Sequence, residues 1–104
     1  MIMHAPPHPG ETLKALYLDS LNLSITDAAK AMHMPRAALS EIINGRRGIS
    51  PKVAIKLAKA FSCTSRSWLL AQMNYDIWNA EQEYNAEEVP VLYKSNTPHE
   101  SNVA

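Results

Sequence analysis

The stretch MPRAALSEIINGRRGISP at residues 34–51 decides the fold. Pro35 starts a helical segment and Gly45 ends it, because proline suits the first turn of a helix and glycine accepts the left-handed backbone that stops one. Leu39, Ile42 and Ile43 fall at i, i+3 and i+4 and form one inward stripe. Arg36, Ala37, Ser40, Glu41 and Asn44 are left outside it. That outer face carries small or short polar side chains and then runs into the paired Arg46 and Arg47. Small outward side chains let a backbone come close to something, which a helix serving only as scaffold does not need.

Working outward, the same start and stop signals predict four more helices. Pro9 fits the first position of a segment reaching about Leu18, with Glu11 where a carboxylate faces the positive helix end. Ser24 caps ITDAAKAM, with Asp27 three residues on. Ser50 followed by Pro51 opens KVAIKLAKAF, and Thr64 caps a longer helix from Ser65 into residues 81–84. Connections this short predict a compact all-α bundle of five helices. Ala28, Ala29 and Met32 face inward from the second helix, and its alanines let the third pack close. In the fourth, Val53, Ala54, Leu57, Ala58 and Phe61 form the buried face, while Lys52, Lys56 and Lys59 project outward.

With 104 residues, 46% hydrophobic and 19% charged, the chain suits one domain and is too short for two full cores. Its single cysteine, Cys63, cannot form an internal disulfide and reads as a small core or boundary residue. The start MIMHAPPHPGE lacks a basic region followed by an apolar run, and no segment approaches the roughly 20 apolar residues that span a bilayer. A soluble, cytoplasmic protein is expected, with no membrane partner. The net charge of zero conceals segregation: residues 30–59 carry seven cations against Glu41, 7 − 1 = +6, and residues 76–100 carry Lys94 against six carboxylates, 1 − 6 = −5. The middle suits a polyanion and the end would repel one, although either run could also be a solvated face.

His4, His8, His33 and His99 are scattered, and His4 and His8 flank two prolines in a start expected to be mobile, so no metal site is expected. His8 and Glu11 read as helix-start residues, since no nucleophile, phosphate loop or second carboxylate converges with them. No enzyme activity, cofactor or small-molecule ligand is expected.

A short helix, a tight turn and a second helix packed through alanine describe a helix-turn-helix. The chain resembles that DNA-binding family: Ala29 matches its small residue, Leu39 and Ile42 its buried positions, and INGRRGIS the loop after recognition helices of phage-repressor type. His33 stands where the family usually has a turn glycine, and histidine tolerates a left-handed backbone better than a β-branched residue does. HPGE at residues 8–11, GISPKVAIKLAKAF and WLLAQMNYDI at residues 68–77 narrow the resemblance to the HigA-type antitoxins, relatives of virulence-associated protein I, over about residues 8–78. That resemblance implies a bacterial antitoxin that neutralises a HigB toxin, an mRNA-cleaving enzyme, and represses its own operon as a homodimer. Two other readings stay open: a stand-alone repressor of phage type, and a protein-interaction module that has lost DNA binding.

The DNA-facing set follows from the docking geometry of this motif. If residues 35–44 enter a major groove, Ala37 and Ala38 permit close approach and touch thymine methyls, while Arg36 reaches guanine O6 and N7 or a phosphate. Ser40 lies nearer the helix side. Asn44, Arg46 and Arg47 meet phosphates and position the protein, and Ser24 and Pro35, at the two helix starts, complete the set. Glu41 either accepts from cytosine N4 or pairs with a neighbouring arginine. Trp68, Tyr75, Ile77 and Trp78 lie on a segment with more apolar surface than one small core buries, so part of it is expected to pack against a second copy or a partner, and a homodimer contact is predicted there. VPVLY at residues 89–93 is strand-like, but Pro90 allows only an edge or an extended partner-binding segment. The expected divisions are a flexible start at residues 1–7, the helix-turn-helix domain with its dimerisation helix at 8–85, and an extended or disordered tail at 86–104.

Overall fold

The computed structural model describes residues 4–95. Helix α1 begins as Pro9–Thr12 and continues without a break as a wider π-type coil over Leu13–Leu18. Helix α2 is Ile25–Ala31, α3 is Arg36–Ile43, α4 is Pro51–Phe61 and α5 is Ser65–Glu83, followed by a 3-10 turn at Ala86–Glu88. The five-helix, all-α architecture read from the sequence is the one observed. Residues 89–93 form no strand, and Val91, Leu92 and Tyr93 are exposed. Part of the expected flexible start and tail, including His99 and Glu100, lies outside the described residues.

The caps form as their residue types require. Asp27 N–H donates to Ser24 Oγ at 3.0 Å, Val53 N–H to Ser50 Oγ at 3.2 Å and Ser67 N–H to Thr64 Oγ1 at 3.1 Å. Pro35 differs slightly: it stands at the capping position before Arg36, with no side chain capping α3. His8 differs more, because the mobile start expected around it does not include this residue. It is 7% exposed, and its Nδ1 accepts the Gly10 N–H at 2.9 Å as the cap of α1. Its ring meets Tyr75 of α5 edge-on, with centroids 4.8 Å apart.

The core is built by Leu13 and Leu18 of α1, Ala28 and Ala29 of α2, Leu39 and Ile42 of α3, Ala54 and Leu57 of α4, and Trp68 of α5. Trp68 corrects an expectation. It is 5% exposed, lies near Tyr17 (ring centroids 5.8 Å apart), and donates its Nε1–H to the half-buried Cys63 at 3.0 Å. A side chain so enclosed serves the chain's own core and presents no surface to a second copy.

Gly10 sets the spacing between α1 and α3. A Cβ built on it would overlap the carbonyl oxygen of Ile42 and crowd the Cα of Ile43. Backbone approach this close is possible only without a side chain, and it brings α1 directly against the C-terminal turn of α3. Gly10→Ala should therefore lower stability by about 1–3 kcal/mol, the usual cost of forcing extra volume into a packed interface. A urea titration followed by circular dichroism should show a lower midpoint than wild type; an unchanged midpoint would mean the two helices can separate freely.

Candidate nucleic-acid interface

Helices α2 and α3 meet at a turn whose geometry is set by backbone hydrogen bonds. His33 takes the left-handed conformation expected of it, φ 53°, with its N–H on Lys30 O at 3.2 Å and the Met34 N–H on Ala29 O at 3.0 Å. Lys56, expected to project outward from α4, reaches back instead and donates to the His33 carbonyl at 2.8 Å. A cation on a free carbonyl at a helix end is favourable because that end carries partial negative charge. The turn between the two helices is thus braced from a third.

The outer face of α3 is composed as its spacing predicts. Arg36, Ala37, Glu41 and Asn44 are exposed, with Ala38 and Ser40 half-buried at its margin. Arg36 does not stand free: its Nε donates to Thr26 Oγ1 of α2 at 2.9 Å, which holds the guanidinium between the two helix starts. Ser24, which caps α2, is exposed nearby in the chain. Asn44 Nδ2 donates to Ser40 Oγ at 3.3 Å along the helix.

Glu41 accepts from Arg47 on both Nε and Nη2, at 2.9 and 2.7 Å. Of its two readings, pairing with an arginine is the one this geometry contains, although the partner comes from the following loop rather than from α3. The two side chains are 47% and 55% exposed, so the pair contributes about 0–1 kcal/mol and separates readily. Arg47 is oriented by it more than it is neutralised.

The loop after α3 is anchored at both ends. Gly45, at φ 75°, closes the helix, with its N–H on Ile42 O at 3.1 Å and the Arg46 N–H on Glu41 O at 2.8 Å. That double contact is the glycine-dependent helix stop. At the far end, the N–H of buried Ile49 donates to Gln72 Oε1 of α5 at 2.8 Å, and Gln72 Nε2 in turn donates to Asp76 at 2.9 Å. Arg46 and Arg47 are therefore carried on a loop tied to α5. Thr26, Lys56 and Gln72 were not legible as site-supporting residues; for Gln72 the sole trace is one amide inside the apolar run WLLAQM.

The expected dimer face is redrawn by burial. Trp68 belongs to the core, Tyr75 packs on His8 and is half-buried, Trp78 is half-buried, and Ile77 is exposed. Leu70 and Met73 join Ile77 at i, i+3 and i+7 as an exposed apolar stripe on α5. Among the described residues no helix is long and apolar enough to cross a membrane, and no group of three or more histidine, cysteine or carboxylate side chains is placed so that it could hold a metal ion.

Comparison with known proteins places this geometry. Residues 13–69 match the family described as Helix-turn-helix. Virulence-associated protein A of Dichelobacter nodosus is 57% identical over 74 residues, 70% of this chain and 72% of that protein. Antitoxin HigA-1 of Vibrio cholerae is 37% identical over 82 residues, 79% of this chain and 77% of that one. Among solved structures, the Pseudomonas aeruginosa antitoxin HigA with the higBA promoter superposes with a TM-score of 0.75 at 27% identity, covering 84% of this chain and 99% of the other.

The anchoring of the loop is open to measurement. Gln72→Ala should leave the Ile49 amide without its acceptor, raise its hydrogen-exchange rate at least tenfold and lower stability by about 1–3 kcal/mol. Unchanged protection at Ile49 would show that the loop holds its shape without α5.

Proposed function

The chain belongs to the helix-turn-helix family, among the relatives of the virulence-associated proteins and HigA antitoxins, and we propose that it is the antitoxin of a bacterial toxin–antitoxin pair that also represses its own operon. The observation that carries the reading is the face of α3: small side chains between guanidinium groups, on a helix seated by α1 and followed by a loop tied to α5. Residues 35–44 enter the major groove of double-stranded operator DNA. Ala37 and Ala38 allow the approach, and Arg36 exchanges its bond to Thr26 for a guanine edge or a phosphate. Ser24, Pro35, Ser40, Asn44, Arg46 and Arg47 border the backbone and set the register. Glu41 steers Arg47 in the free protein and releases it to phosphate, a charge-assisted contact stronger than an exposed ion pair.

Two copies pair through residues 8–85, the exposed stripe Leu70, Met73 and Ile77 of α5 with the flank of Trp78 forming the contact, and present their recognition helices to half-sites one helical turn, or a multiple of it, apart. Such a protein works in the cytoplasm. The protein partner is a HigB-type toxin, which should itself be cationic because it cleaves a polyanion. It therefore avoids the basic face and meets carboxylates, either Glu11, Asp19 and Asp27 around the first two helices or the acidic stretch at residues 81–88.

Three outcomes follow. Arg36→Ala should cost about 1–3 kcal/mol on the preferred operator and relax its base preference, whereas Arg46→Ala should weaken all sequences alike and reduce the salt slope by about one. Quantitative gel shifts at several salt concentrations distinguish these, and identical profiles for the two variants would remove the division between reading and positioning. Arg46→Glu combined with Arg47→Glu should abolish operator binding yet leave folding and toxin neutralisation nearly intact, since surface charges outside buried networks shift stability little. A folded double variant that no longer rescued toxin-expressing cells would put both partners on one face. Sedimentation of the native chain should show a dimer at micromolar concentration, and Met73→Asp should shift it to monomer.

A further inference from the structure

We propose that the apolar groove between α2 and α4 receives residues 86–93 of a second copy of this chain. The groove encloses about 640 Å³ and is lined by Leu21, Ala28, Met32, Ile55, Lys59 and Phe61 among others. That volume lies within the range of sites that bury a ligand. Leu21 and Ile55 are each 62% exposed, so the groove is apolar and uncovered. Two ammonium groups stand among its lining residues, Lys59 and Lys56, the second already donating to the His33 carbonyl, and the lining includes no carboxylate.

Residues 86–93, AEEVPVLY, have the complementary make-up. Glu87 and Glu88 supply the opposite charge, and Val89, Val91, Leu92 and Tyr93 supply exposed apolar surface, with Leu92 93% exposed. Pro90 lacks an N–H, which removes one backbone donor that burial against an apolar wall would leave unsatisfied. Groove and segment do not meet within one chain, as the exposure of Leu21, Ile55 and Leu92 shows. The inference rests on the pairing of copies proposed above: within such a pair, a segment that spans to its partner's groove would bind there at an effective concentration in the millimolar range.

Disulfide trapping tests it in the full chain. When an Ile55→Cys protein is mixed with a Leu92→Cys protein and oxidised, peptide mass analysis should find the mixed disulfide joining positions 55 and 92, while Lys52→Cys, on α4 outside the groove, should give no mixed disulfide with position 92. Ile55→Asp and Leu92→Asp should each weaken self-association about tenfold or more in sedimentation, as expected for losing one buried aliphatic side chain. Absence of the mixed disulfide, with the unsubstituted chain dimeric, would overturn the groove assignment and leave the α5 pairing standing. A monomeric native chain would overturn both. If instead the doubly substituted chain closed its disulfide within a monomer, the occupant would be the chain's own segment and the exchange between copies would be refuted.

Discussion

The approach of Gly10 to the backbone of Ile42 and Ile43 is the contact on which the rest of this structure depends. It is a steric condition: α1 and α3 come together only because no side chain intervenes. His8, buried as the cap of α1, lies against Tyr75 of α5 and close to Gly45 at the end of α3. The start of α1, the stop of α3 and the middle of α5 therefore meet at one place. A recognition helix held in this way has little freedom to tilt, and ordering that precedes binding does not have to be supplied by the binding energy.

Electrostatics refines what packing has set. None of the guanidinium groups of Arg36 and Arg47 is left to wander: one is held by Thr26 and the other by Glu41. Both contacts are exposed and individually weak, so neither competes seriously with a phosphate. They act on direction rather than on affinity, and they explain how an acidic residue can sit on a face otherwise suited to a polyanion. The segregated charge of the chain points the same way, with seven of its ten cations in residues 30–59 and six of its ten carboxylates in residues 76–100.

Helix α5 divides its apolar residues between two tasks. Trp68 fills the core, and Tyr75 supports His8, while Leu70, Met73 and Ile77 remain outside. In composition these residues look alike, and the surplus of apolar surface lies at Leu70, Met73 and Ile77 rather than at Trp68. Together with the uncovered groove between α2 and α4 and the exposed residues 89–93, the stripe gives the molecule three apolar surfaces beyond its core. Surface of this kind is what the proposed pairing of copies would cover.

The sequence by itself determined the helices, the hydroxyl caps of α2, α4 and α5 and the inward stripes. These are local matters: Ser24, Ser50 and Thr64 reach their own backbones three residues on, Gly45 stops its own helix, and Leu39, Ile42 and Ile43 follow from helical spacing. It also marked the outer face of α3 and the left-handed His33. What only the tertiary structure decided are partnerships between residues distant in the chain, for which spacing carries no signal. The reach of Lys56 to the His33 carbonyl, the hold of Gln72 on Ile49 and the placing of His8 against Tyr75 are of this kind. So is the division of α5 into a buried and an exposed side. A helix with apolar residues around much of its circumference has no single inward direction of its own, and the inward side is chosen by the helices it packs against, here α4 and α1.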